Sequence, residues 1–210
     1  MGKIIASVSC TLDGIYTGPQ GDENNMVSWA MPGIIDSTTD NLIMFQKADA
    51  ILLGRVNYEG LSSYWPFQEG EFADAMNNTP KYVATSNRGL TEVQWGDFGD
   101  TISLLYGDLN ERITALKKDI EGSIIVPGSA KLVQSLLNAG FVDEINMIIH
   151  PVVLGSGKRY LDIIDARNDL KLIGTQLYET SGSMRLLYEV ARYSCNVSSI
   201  HDQDPRSWYR

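Results

Sequence analysis

The chain has 210 residues, 43% of them hydrophobic, and sets 17 Lys and Arg against 26 Asp and Glu for a net charge of −9. That length suits one soluble domain with a continuous core, and the acidic balance, unbroken by any basic run, excludes nucleic acid as a partner and leaves any bound anion to be held locally. Two histidines and two cysteines, Cys10 and Cys195 near opposite ends, provide neither a disulfide framework nor a metal-ligand spacing, so no metal is expected.

The apolar run Ile4–Val8 reads as a first strand following Met1-Gly2-Lys3 directly, without a cleavable leader pattern, which points to the cytoplasm. A helix is predicted over Ile34–Lys47, with Ile35, Leu42, Ile43 and Phe45 as core contacts. Strands follow at Ala50–Leu53, Lys81–Thr85 and Ser103–Tyr106. Leu109, Ile113, Leu116 and Ile120 recur at helical spacing and stop at Gly122. After a strand at Ser123–Val126, a second such face, Leu132, Val133, Leu136 and Leu137, is closed by Gly140. Ile145–Ile149 is a further strand, and the apolar stretch around it, broken by Asn146 and His150, is too short to span a bilayer. Leu170–Glu179 and Met184–Arg192, joined by Thr180-Ser181-Gly182-Ser183, carry a hairpin signal. Strands alternating with crossover helices give an α/β fold of three layers, with a mostly parallel central sheet and an antiparallel C-terminal hairpin. One domain is expected over residues 1–193, followed by a tail, 194–210, that loses periodicity.

The common nucleotide motifs fail letter by letter. Gly155-Ser156-Gly157-Lys158 has valine at 152 and arginine at 159 where a phosphate loop needs glycine and Ser or Thr, and no G-x-G-x-x-G occurs. Three short segments remain, each just after a strand, at the edge where open α/β sheets bind ligands. Gly54-Arg55 permits close backbone approach and offers a phosphate clamp. Ser86-Asn87-Arg88 offers hydroxyl, amide and guanidinium donors. Pro127-Gly128-Ser129-Ala130 leads into a helix whose positive end suits a pyrophosphate. Singly, each is as consistent with an ordinary ion pair or a capped turn; their recurrence after three strands suggests an extended, phosphorylated ligand such as a dinucleotide.

These residues also carry a likeness over roughly residues 2 to 192. Ser9-Cys10-Thr11-Leu12-Asp13-Gly14-Ile15, Ala48 through Glu59, Pro127 through Leu132, and Gly140 through Ile145 running into Pro151 through Gly157 resemble the dihydrofolate-reductase-like family that includes the reductase domain of bifunctional riboflavin-biosynthesis deaminase-reductases. The resemblance implies NADPH across the carboxyl edge of the sheet. Gly54, Arg55 and Val56 would lie near the pyrophosphate and adenosine ribose, and Ser86, Asn87 and Arg88 near the adenine and 2′-phosphate. Pro127, Gly128, Ser129, Ala130 and Lys131 would form the turn under the pyrophosphate, with Ala6 and the loop from Leu12 to Ile15 bordering the nicotinamide. The turn departs from the family in reading Pro-Gly-Ser instead of adjacent glycines, and no zinc-deaminase half is present.

The reaction implied is hydride transfer to a C=N or C=O carbon of a small heterocycle, as in 5-amino-6-(5-phosphoribosylamino)uracil reduction. Asp13 is the first candidate for positioning the substrate or relaying the proton, although Asp-Gly is also a common turn pair. Asp36, Asp40, Glu59 and Trp65 are weaker candidates for the substrate cleft, and Lys158 and Arg159 for a substrate phosphate. Alternatives are a dihydrofolate or pterin reductase, which needs a carboxylate from the Asp36–Asp40 segment facing the pocket, and a non-catalytic NADPH-binding protein. Relatives that pair through sheet edges imply a homodimer.

Overall fold

The computed structural model describes residues 1–18, 28–87 and 89–191. Eight strands form one sheet: β1 (Lys3–Thr11), β3 (Ala50–Gly54), β4 (Lys81–Thr85), β5 (Ile102–Tyr106), β6 (Ser123–Pro127), β7 (Glu144–His150), β9 (Leu170–Tyr178) and β10 (Ser183–Val190). Two short strands, β2 (Ile15–Thr17) and β8 (Lys158–Arg159), pair separately. The sheet order is β5-β4-β3-β6-β1-β7-β10-β9; every pairing from β5 to β7 is parallel, and the last two strands are antiparallel. The mainly parallel sheet and the C-terminal hairpin are thus as expected from the apolar runs. Tail residues 194–210 lie outside the described residues.

Among the described residues six α-helices complete the layers: α1 (Met31–Asp36), α2 (Thr38–Gln46), α3 (Arg55–Ser62), α4 (Glu71–Asn78), α5 (Leu109–Asp119) and α6 (Ala130–Asn138). Side chains alternate along β1, so Ile4, Ala6, Val8 and Cys10 enter one core with Ile113 and Leu116 of α5 and Val133, Leu136 and Leu137 of α6. On the other face, Phe45 of α2 and Met76 of α4 pack with Ile51, Leu53, Val83, Trp95 and Ile125. Lys81 is buried beneath α4, where its ammonium donates to the carbonyls of Met76, Asn77 and Thr79 at 2.9, 2.8 and 2.7 Å. All three donors are satisfied, at a helix end that favours positive charge. Among the described residues no helix is long and apolar enough to cross a membrane, and no His/Cys/Asp/Glu cluster could hold a metal ion.

The helix expected over Ile34–Lys47 is two helices, broken at the buried Ser37. The break changes which residues face inward. Ile35 and Ile43 are exposed and Leu42 is half-buried, so of the four expected core contacts only Phe45 is buried. The inward face of α1 carries Gly33, because a Cβ there would stand 2.3 Å from Ser183 Oγ and 2.5 Å from the His150 ring. Helices α3 and α4 had no counterpart in the sequence reading; the buried residues of α4 number three, and α3 buries none completely, so neither shows a long apolar stripe.

His150 is the buried polar centre under α1. Its Nδ1 lies 3.2 Å from Ser183 Oγ, and its ring meets Trp29 edge-on at 5.4 Å. Burial lowers its pKa below the ordinary value of about 6.5. The unfolded chain therefore takes up a proton that the folded chain refuses, and stability is full above about pH 7 and falls as pH drops through about 6.5. Thermal melts between pH 5 and 8 should show this acid slope in the native protein and a flatter profile in His150→Gln.

Candidate active site

Because β4, β3, β6 and β1 are parallel neighbours, their carboxyl ends lie side by side. The three segments singled out above therefore meet at one edge, in the order Ser86-Asn87, Gly54-Arg55 and Gly128-Ser129, with the Leu12–Gly14 loop beyond them. Arg88 lies outside the described residues.

The turn after β6 is the most constrained element of this edge. β6 ends at Pro127, level with Ser7 of β1, and the Gly128 amide donates to the Ser7 carbonyl at 2.8 Å. Gly128 has φ +58°, and a Cβ there would lie 2.7 Å from Asn57 Nδ2, which itself donates to the Pro127 carbonyl at 2.8 Å. Ser129 is also left-handed, at φ 41°, the only described non-glycine residue with positive φ. Its hydroxyl accepts from the Gly54 amide at 3.2 Å and does not cap α6. Helix α3, starting at Gly54, likewise has no side-chain cap. Two neighbouring helices thus begin here with first-turn amides that no side chain occupies, which is a local electropositive cradle in an acidic protein.

Around the cradle, Arg55, Val56, Ser86, Asn87 and Lys131 are exposed, Gly54, Pro127 and Gly128 are half-buried, and Ala130 is buried. Arg55 forms an ion pair with Glu59 one turn along α3 at 2.7 Å, an exposed contact that a phosphate can exchange. Asn87 forms a tight turn, its amide donating to Thr85 Oγ1 at 3.0 Å and its Oδ1 accepting from Gly89 at 2.9 Å. Ala6 and Ile15, expected beside the nicotinamide, are 0% and 1% exposed. Alternation turns Ala6 into the core shared with α5 and α6, so neither side chain presents a surface to a ligand.

Asp13 is a loop anchor. Its carboxylate accepts from Thr11 Oγ1 at 2.6 Å, from the Gly155 amide at 2.8 Å and from the Leu154 amide at 3.3 Å. The Thr11 and Gly155 hydrogen bonds hold its pKa down at about 2. The Arg159 guanidinium donates to the Asp13 carbonyl, and Leu12 donates to the Val152 carbonyl at 2.9 Å. A carboxylate so well solvated by donors stays ionised at neutral pH, and it ties the loop after β1 to the loop after β7.

The carboxylates expected in the substrate cleft serve the hairpin. Asp36 accepts from the Ser181 amide at 2.8 Å and Asp40 from the Tyr178 hydroxyl at 2.8 Å. Trp65 is partly buried, stacks on Phe72 at 5.1 Å and packs against the core shared with Phe45 and Met76.

What the sequence reading missed is the open face of β1. This strand is central in the sheet, yet Ser7 and Ser9 are only half-buried, and neither hydroxyl has a hydrogen-bond partner among the described residues. Met44 of α2 contacts β7 on one side and Asn57 of α3 contacts the end of β6 on the other, so this face lies between two helices, next to the Gly128 turn. Small hydroxyls on alternate positions of an otherwise apolar strand were the available signal.

The protein YyaP of Bacillus subtilis (strain 168), itself uncharacterised, is 28% identical over 186 residues, covering 89% of this chain and 94% of its own. Among solved structures, a protein of Shewanella sp. PV-4 provisionally assigned to riboflavin biosynthesis superposes with a TM-score of 0.70 at 19% identity, over 90% of this chain and 99% of the other. Dihydrofolate reductase of Enterococcus faecalis, in complex with NADP(H) and RAB-propyl, gives a TM-score of 0.60 at 16% identity over 91% and 98%. The fold is therefore dihydrofolate-reductase-like. The model of the RibD C-terminal domain matches residues 2–183, and the chain belongs to that family.

Proposed function

We propose that this protein is an NADPH-dependent reductase that delivers hydride to a C=N or C=O carbon of a small heterocycle, most closely the reduction of 5-amino-6-(5-phosphoribosylamino)uracil. One reductase domain over residues 1–193 carries it. The observation behind this reading is the pair of uncapped helix starts joined by the Gly128 turn, beside a half-open central strand.

The residues present fit the cofactor. Gly128 keeps its left-handed turn with Asn57 packed against it, a position where a Cβ would be strained and crowded, and the first-turn amides of α3 and α6 suit a pyrophosphate. Arg55, with Ser86, Asn87 and Arg88, supplies donors for a 2′-phosphate. Bound there, NADPH would supply the hydride. Ser7 and Ser9 line the face on which a flat ring would lie, and Asp13 positions the loop over that face. Lys158 and Arg159, on the short ladder beside the Asp13 loop, are exposed cations for a substrate phosphate. The homodimer belongs to the same proposal: Leu172, Leu177 and Met184 leave an exposed apolar row on one face of the C-terminal hairpin, and sedimentation should give twice the chain mass.

Thermal shift tests the cofactor. NADPH at about 100 times its Kd should stabilise by about 2.7 kcal/mol, raising Tm by roughly 5–10 °C for a domain of this size. Arg55→Ala and Arg88→Ala should weaken the NADPH response and spare that of NADH, whereas Gly128→Ala should abolish both. No response to either nucleotide at saturation would sink the reading, and tight NADPH binding without oxidation by any acceptor would favour a non-catalytic protein. Asp13→Asn should lower turnover without displacing the pH profile between pH 5 and 8; disappearance of a limb of that profile would identify Asp13 as proton relay.

A further inference from the structure

Asn146 stands on β7 directly beside Ser7 of β1, on the face covered by α2. It is 5% exposed, and its amide is poorly satisfied: Nδ2 donates to Met44 Sδ at 3.0 Å, a weak acceptor, while Oδ1 is buried without a partner. Rotating the amide would leave both ends without a partner, because the thioether sulfur only accepts. A buried amide left unpaired costs folding free energy, and this one holds no turn, cap or neighbouring strand together. Its place explains it better than its contacts. It lies one strand from the Gly128 turn, since that turn is bonded to the carbonyl of the same Ser7.

The surrounding groups narrow what it can meet. Arg185 of β10, opposite Ile148 on the same face, donates to Asn41 Oδ1, has no ion-pair partner among the described residues and keeps Nε buried without an acceptor. Ser7 and Ser9 add hydroxyls. The two acids on this side, Asp36 and Asp40, each accept one hydrogen bond through Oδ2, from the Ser181 amide and the Tyr178 hydroxyl. This end of the cleft therefore offers an amide, a guanidinium and hydroxyls.

We propose that Asn146 reads the substrate ring, its amide pairing with a lactam edge in which N–H stands next to C=O. The inference rests on the reductase reading, in which the ring lies over Ser7 and Ser9 with an edge toward β7. A primary amide presents one donor and one acceptor side by side, the complement of a lactam; a carboxylate presents two acceptors, the complement of an amidine. Met44, unbranched and flexible, is the group that moves aside to admit the ring edge. A site built around such a pair rejects rings that lack the complementary edge, because its own buried groups are then left unpaired.

The test is calorimetric titration of NADPH-saturated protein with 5,6-diaminouracil, which has the lactam edge, and 2,4-diaminopyrimidine, which has the amidine edge. The native protein should prefer the lactam at least tenfold; Asn146→Leu should lose that preference, and Asn146→Asp should invert it, with the NADPH thermal shift intact in each. Should the variants fail to fold, the side-chain amide resonance of Asn146 in the native protein decides, and it should move with the lactam probe and not with the amidine. Unchanged preference in Asn146→Leu, an unmoved amide resonance, or no preference in the native protein overturns the inference while leaving the cofactor response in place. A native protein unaffected by NADPH overturns the reductase reading and this inference with it.

Discussion

The hydrogen bond from the Gly128 amide to the Ser7 carbonyl fixes where the parallel sheet stops being continuous. Below it, β1 is paired on both sides; above it, β6 has turned away and β1 runs on to Thr11 with β7 alone. An edge created in the middle of a sheet is the crevice that open α/β folds use for ligands. The left-handed Gly128 and Ser129 that make the turn also bring the starts of α3 and α6 together, since the Ser129 hydroxyl holds the Gly54 amide. Cradle and cleft are consequences of one strand ending five residues into its pairing.

Electrostatics follow the same division. Cations are used structurally where they are buried: Lys81 closes the end of α4, and Lys117 joins Asp143 and the Phe141 carbonyl beneath the amino end of the sheet. At the carboxyl edge Arg55, Lys131, Lys158 and Arg159 are exposed. In a chain of net charge −9, an anionic ligand meets a repulsive overall field, and at that edge it finds amides and cations together. Asp13 fits within this positive region because its charge is spent on backbone amides and the Thr11 hydroxyl.

Much of this was legible in sequence because strand-length apolar runs followed by Gly, Ser or Arg mark the ends of buried parallel strands. The eight strands of the main sheet and the three cradle loops were read that way, α5 and α6 were read from helical spacing, and the short β2 and β8 were not read at all. Less legible were burial and long-range partners. Ala6 and Ile15 lie next to the edge in sequence but alternate into the core. Asp36 and Asp40 look free in sequence, and only the returning hairpin, some 140 residues later, supplies their donors. Ser7, Ser9 and Asn146 read as minor polar interruptions of strands; their importance appears only when the register sets them side by side.

The sheet order also bears on how the chain is made. Strands β3, β4 and β5 are neighbours in space and in sequence, so that half of the sheet can assemble from local crossovers as it emerges. β1 cannot. Its partners begin at Ser123 and Glu144, so β1 has neither edge paired until the distant segments that form β6 and β7 have been made. Until then an alternating apolar strand with two open edges is presented to the ribosome surface and to chaperones, and long-range parallel pairing is slow. The hydroxyls of Ser7 and Ser9, which interrupt that apolar strand on one face, also make it a poorer template for other chains during the wait.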